Sequence, residues 1–381
     1  MTPSLSASTS TTPQLPPPNS KPKIVKRDEY FTKLMTDAFH EGTLLEKVQQ
    51  VLTILVTVAC FIVPQQVSIA LGLLPDPNRN LGRLQCILPD QIYQQTYMNG
   101  VTNSTILVSR DGKSLLIYSP PQITTQFVND IRDTLGPDAK VRYIVCPNEC
   151  HDNYSNMAKD VFKDDAVVVV CPSPSRSMVE DAVKVDRTLE ECLPQLEREF
   201  GITKMVSYDT ITRCQSERSY YIQVFGDATN KKKKPTTTKQ RRQDQNQYVL
   251  LVGQCGFGNY RTDDAILPSP SLYLSGFQRW TRPRGRYFRH YYHNFTKDKS
   301  KVKDYWCQLI GNTNTNGGGG GGDDKNKNDD PSSSSPLNLK AAIFLHGDPI
   351  IATEEEEDDD STLSPSTSTY VRDQLSKFYV Y

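Results

Sequence analysis

Apolar positions along the chain change period several times, and each change marks an element. Val141, Tyr143 and Val145 alternate with Arg142, Ile144 and Cys146, which predicts a short strand with one buried face that Pro147 ends. Met157, Ala158, Val161 and Phe162 then fall at helical spacing, so Tyr154 to Phe162 reads as a helix. Upstream, Thr105 to Val108 and Ser114 to Tyr118 read as two strands joined by the hairpin signal Asp111-Gly112. Thr125 to Leu135 follows as a helix with Phe127, Val128, Ile131 and Leu135 on one face, a threonine cap and Gly136-Pro137 as its stop. Downstream, Ala166 to Val170 is an apolar strand ending at Cys171-Pro172. Strands alternating with helices in this way predict a layered α/β domain.

The second half is less regular. Leu189, Leu193, Leu196 and Phe200 keep a helical rhythm, but Pro194 inside it predicts a broken helix or loop, because proline removes a backbone donor and clashes with the preceding turn. Strands are expected at Met205 to Tyr208, Tyr220 to Phe225 and Tyr248 to Gly253. Val302, Tyr305, Trp306 and Leu309 form a helical stripe, and Ala341 to Leu345 is a last buried strand.

The N-terminal region departs from this pattern. Residues 1–27 are rich in Ser, Thr and Pro and read as a disordered leader. Residues 28–80 form a helical segment whose apolar run, Val51 to Leu74, is uncharged but interrupted by Pro64-Gln65-Gln66. A single span needs about 20 apolar residues, so this run is a candidate membrane anchor, balanced against a helix packed on the domain. If it spans, the excess of basic residues before it puts the N-terminus in the cytosol. Residues 86–352 then make the layered domain, with insertions at 226–247 and 311–336. An acidic and Ser/Thr-rich segment covers 353–369, and a C-terminal segment covers 370–381.

Composition narrows the function classes. Lys+Arg and Asp+Glu both total 44, so no global charge draws the chain to nucleic acid or anionic lipid. The basic insertion Lys231 to Arg242 reads as a solvated loop. The arginine-aromatic stretch Phe277 to Phe295 reads as rings buried beneath extended arginines rather than as a stacking surface for single strands. Nine cysteines without a C-x-x-C pair favour reduced, mostly buried thiols and a cytosol-facing domain, which conflicts with translocation across a membrane. The location therefore stays undecided between membrane-associated and cytoplasmic.

Candidate chemistry gathers at two turns. The first follows the strand ending at Cys146 and carries Asn148, Cys150, His151, Asp152 and Asn153, where strands of an α/β sheet present functional groups. The second, His346-Gly347-Asp348-Pro349, follows the last strand. The order Pro147-Asn148-Glu149-Cys150-His151, then His346-Gly347-Asp348-Pro349, resembles an uncharacterised family of metallo-β-lactamase-like domains with P-N-x-x-H and H-G-D-P turns, over about Asp111 to Ile351. The resemblance implies an αββα sandwich with a shallow metal site at the strand ends.

Active members of that superfamily carry H-x-H-x-D-H in the first turn. Laid on this chain, the pattern puts Asn148, Cys150, Asp152 and Asn153 at the ligand positions, so three of the four are changed. A later ligating aspartate expected near Gln254 or Cys255 is missing. The tentative metal set implied by the resemblance is Cys150, His151, Asp152 and His346, with Asn148, Asn153 and Asp348 lining the same turns. These substitutions favour a non-catalytic module with a degenerate metal site and no cofactor, binding a protein or small-molecule ligand, with membrane contact through Val51 to Leu74. The alternative is a divergent hydrolase in which zinc or another divalent metal generates hydroxide to attack an ester or phosphoester. Whether the chain is an enzyme stays open on the sequence.

Overall fold

The computed structural model describes residues 27–44, 47–48, 51, 84–97, 102–121, 123–149, 151, 154–208, 211–212, 216–225, 247–253, 296–310, 338–351 and 367–376. The apolar run beyond Val51, the stretches Lys231 to Arg242 and Phe277 to Phe295, the insertion 311–336 and the acidic run Glu354 to Asp360 lie outside them.

Twelve strands form two sheets among the described residues. The first has seven in sequence order: β1 (Gln85–Leu88), β2 (Ile92–Tyr97), β3 (Thr102–Val108), β4 (Ser114–Tyr118), β5 (Lys140–Val145), β6 (Val168–Cys171) and β7 (Arg187–Thr188). Strands β1 to β4 pair antiparallel, and β4 to β7 pair parallel. The second sheet has the order β12-β11-β10-β9-β8. Its members are β8 (Ile202–Ser207), β9 (Arg218–Gln223), β10 (Gln247–Val252), β11 (Asn338–Phe344) and β12 (Ile350–Ile351). Here only β10 and β11 run parallel.

Besides a single turn at Arg176–Val179, the α-helices among the described residues are α1 (Arg27–Glu41), α2 (Thr125–Leu135), α3 (Ser155–Val161), α4 (Leu189–Phe200), α5 (Val302–Leu309) and α6 (Thr367–Ser376). The hydrophobic core shows how they layer. Strand β4 turns Leu116 and Tyr118 toward the second sheet, where they meet Tyr220, Ile222, Val249, Leu251 and Ile343. Its alternate residues Leu115 and Ile117 point the other way, against Phe127 and Ile131 of α2 and Ala158 of α3. The second sheet repeats the logic: Tyr221, Leu250, Ala342 and Phe344 face Trp306 and Leu309 of α5 and Val371 and Leu375 of α6. Strands β4, β6, β10 and β11 are therefore largely buried on both faces, which is why they read as nearly continuous apolar runs. The result is helices, sheet, sheet, helices: the αββα sandwich expected from the sequence.

One expectation needs correction. Helix α4 runs unbroken through Pro194. Its ends outweigh the defect: Thr188 and Glu191 make a reciprocal capping box, Gly201 caps the other end in the left-handed conformation, and Leu189, Cys192, Leu196 and Phe200 are all buried. Downstream of β12, α6 packs on β11 and buries Val371 and Leu375. Among the described residues no helix is long and apolar enough to cross a membrane.

Candidate functional site

The carboxyl ends of β4, β5 and β11 meet at one edge of the sandwich, and there the two sheets are hydrogen-bonded directly. The backbone N–H of Asn103, at the start of β3, donates to the Leu345 carbonyl at 2.7 Å. The Asn103 carboxamide donates to the carbonyls of Phe344 at 3.0 Å and Gly347 at 2.6 Å, and Gln94 adds a second donor to Phe344 at 3.0 Å. These amides hold the His346 turn against the first sheet. Asn103 begins an N-x-T sequon, but its side chain is buried and fully engaged in this tie.

The tie brings His346 to His151, with ring centroids 5.2 Å apart and planes tilted by 60°. His151 Nδ1 lies 3.3 Å from Ser119 Oγ, which lies 3.2 Å from the Tyr97 hydroxyl. Ser119 ends β4 with φ 56°, a left-handed conformation uncommon for a residue with a side chain and further disfavoured before Pro120. Its N–H donates to the Val145 carbonyl at 3.0 Å, which pins that conformation against β5. When Tyr97 donates to Ser119 and Ser119 donates to His151, the imidazole proton sits on Nε2.

Electrostatics keep this chain neutral. Burial, with a smaller contribution from the neighbouring His346, holds His151 well below the ordinary histidine range. Burial pushes the Tyr97 phenol well above its usual value, so it stays protonated. His151 is therefore a neutral ring at neutral pH, and no imidazolium pair is forced together.

Behind the first turn is a second polar cluster. Asn148 is buried, and its carboxamide donates to Glu217 Oε2 at 3.5 Å, a long contact. Glu217 is fully buried just before β9, beside buried Arg218, whose guanidinium donates to Ser207 at 2.8 Å and to the Glu217 carbonyl at 3.1 Å. Gly253, at the end of β10, gives the carboxylate its space: a Cβ there would collide with Glu217 Oε1 and lie 2.5 Å from the Arg218 carbonyl. Sequence reasoning did not find Glu217, Ser119 or Tyr97. The nearest expectation to Glu217 is the strand at Tyr220 to Phe225, which says nothing about what the residues before it face.

Of the residues singled out in the sequence, His151 and His346 are brought together, Asn148 is spent on Glu217, and Asp348 is half-buried in the second turn. Cys150, Asp152 and Asn153 lie outside the described residues. Among the described residues no three His, Cys, Asp or Glu side chains group as a metal site. A zinc site takes about three protein ligands. The described donors offer two imidazoles, one already facing a serine hydroxyl, and so do not by themselves fit the metal implied by the resemblance.

No family model matches the sequence, and no curated protein matches it. Among solved structures it is similar to the metallo-β-lactamase DIM-1 exposed to ceftazidime, at 8% identity over 80% of this chain and 97% of that one, with a TM-score of 0.39. It is also similar to a metallo-β-lactamase from Hirschia baltica, at 10% identity over 78% and 98%, with a TM-score of 0.34. ETHE1 from Myxococcus xanthus is similar at 10% identity over 76% and 89%, with a TM-score of 0.30.

Proposed function

We propose that this chain is a metallo-β-lactamase-like sandwich working as a non-catalytic binding module, its strand-end edge converted from metal ligation to hydrogen bonding. One observation carries the reading. Asn148, where the family pattern expects a histidine ligand, turns its carboxamide into the protein against Glu217. A neutral amide bonded to a buried carboxylate is a poor substitute for imidazole, because carboxamide oxygen suits hard cations and its nitrogen does not ligate at all. The neighbouring His151 supports the same reading, since its Nδ1 is engaged by Ser119 and its neutral ring serves as a hydrogen-bonding post beside His346. The edge retains half-buried polar groups at the mouth of a sandwich, the sort of place where a ligand or a partner's chain end can be held.

The test is elemental analysis of the full chain purified without added metal, paired with a His151→Ala, His346→Ala double variant. The expected result is no stoichiometric metal in either protein, an unchanged melting temperature with chelator, and no turnover of ester or phosphodiester substrates. About one zinc, iron or manganese per chain, lost in the double variant, would overturn this reading in favour of a divergent metal-dependent hydrolase.

A further inference from the structure

A second surface lies away from this edge, on the N-terminal helical region, and it is independent of the binding-module reading. Beyond α1 the chain is again helical at Leu44, Lys47, Val48 and Val51, and the Lys47 N–H donates to the Thr43 carbonyl at 2.9 Å. Leu44, Val48 and Val51 are spaced by four and then three residues, which at about 100° per residue places all three on one side of a helix. That side is open: Leu44 is 80% exposed, Val48 48% and Val51 43%. The other large apolar side chains exposed among the described residues are Met157 and Val161 on α3 and Tyr370 on α6.

We infer that Leu44, Val48 and Val51 form a lipid-facing stripe that lays this helix on a phospholipid bilayer. Three features select a bilayer as the occupant. First, the stripe leads directly into Val51 to Leu74, a run without charge and mostly apolar, interrupted at Pro64-Gln65-Gln66, that supplies more apolar chain than three side chains on a docking face. A groove on a partner protein requires no such length. Second, Lys47 flanks the stripe and lies with its ammonium 5.7 Å from the Phe39 ring, its stem half-buried, the posture of a lysine whose charge can remain among headgroups while its methylenes lie against apolar surface. Third, between Leu44 and Val51 the helical spacing puts no charged residue on the side of the stripe, with Glu46 opposite it and Lys47 at its flank, the separation of faces an interfacial helix requires. Basic and acidic residues nearly cancel between Lys21 and Lys47, so attachment rests on apolar contact and depends little on lipid charge or salt.

The experiment uses the full chain with a reporter tryptophan on the stripe, Val48→Trp, or off it at exposed Thr36, Thr36→Trp. Each variant is mixed with phosphatidylcholine vesicles containing brominated lipid, and the wild-type signal from Trp280 and Trp306 is subtracted. The expected result is a blue shift and strong quenching at position 48 and neither at position 36, unchanged when phosphatidylserine is added or salt is raised. Both sites are exposed, so folding is expected to match wild type by circular dichroism. Position 48 left unquenched, or both positions quenched alike, would overturn the inference. So would a blue shift at position 48 that appears without lipid and grows with protein concentration, because the stripe would then be covered by a second copy.

Discussion

At the scale of single residues, the tightest constraint at the site is Gly253. Its missing side chain is what lets the Glu217 carboxylate sit under Asn148, and neither the carboxylate nor the backbone of Arg218 can retreat without breaking buried bonds. Gly253→Ala is expected to cost about 3 kcal/mol in urea unfolding, the upper part of the range for forcing atoms into a packed interior. Gly112→Ala is the control: Gly112 has φ +72° with nothing near its absent Cβ, so only the left-handed backbone penalty of about 1 kcal/mol is expected. His151 supplies a prediction with a defined sign. Its folded-state affinity for protons is lowered, so below the ordinary histidine value of 6.5 the unfolded chain binds a proton that the folded chain refuses. Its contribution to stability is therefore full above pH 6.5 and declines as pH falls below it. Urea midpoints measured from pH 7.5 down to pH 5 should show this slope in the wild type and a shallower one in His151→Gln. Legibility at this scale was uneven. His151 and His346 stand out in the sequence because imidazoles at strand-end turns are chemically conspicuous. Glu217 is invisible there, because a glutamate before a strand ordinarily faces solvent and only the packing of β9 beside β10 buries it.

At the scale of elements, periodicity served well wherever both faces of a strand or one face of a helix had to be buried. The expected β4, β5, β10 and α2 coincide with the observed ones to within a residue or two, since each has a run of apolar positions and a clear stop signal. Strands β1, β2, β7 and β12 went unread, being short or polar in sequence, and two helices escaped for different reasons. Pro194 carries a strong local penalty, but local penalties yield when a helix buries a complete face and is capped at both ends, as α4 does. Helix α6 offers only Val371 and Leu375 in a polar sequence, a signal too thin to register until β11 is present to receive it. The capping box of α4 is accordingly the element-level prediction. Thr188→Ala removes the acceptor for the Glu191 N–H, bonded at 3.3 Å, while the backbone N–H that donates to the Glu191 carboxylate at 2.9 Å is kept. A loss of about 1 kcal/mol in chemical denaturation is expected, and a loss below a few tenths would show that burial alone holds this helix.

At the scale of the whole molecule, the question is what keeps two separately paired sheets in register at the edge where the polar turns lie. The apolar layer between them is non-directional and would permit sliding, whereas the bonds from Asn103 and Gln94 to the end of β11 fix one position. Asn103→Asp tests this with little change of shape. It replaces a two-proton donor by a carboxylate pointed at the Phe344 and Gly347 carbonyls, so two attractive contacts become repulsive and a charge is buried. The expected cost is about 3 kcal/mol or more at neutral pH, partly recovered under acid conditions where the carboxyl protonates. Asn103→Ala should cost less because it leaves no charge behind. Hydrogen exchange locates the effect: if this tie sets the site, amide protection should fall first around Leu345 to Gly347 and the His151 turn, while β5 and β10 in mid-sheet keep theirs. Uniform loss of protection would instead mean that the sheets are held by their apolar layer and that the histidine pair is carried passively at its edge.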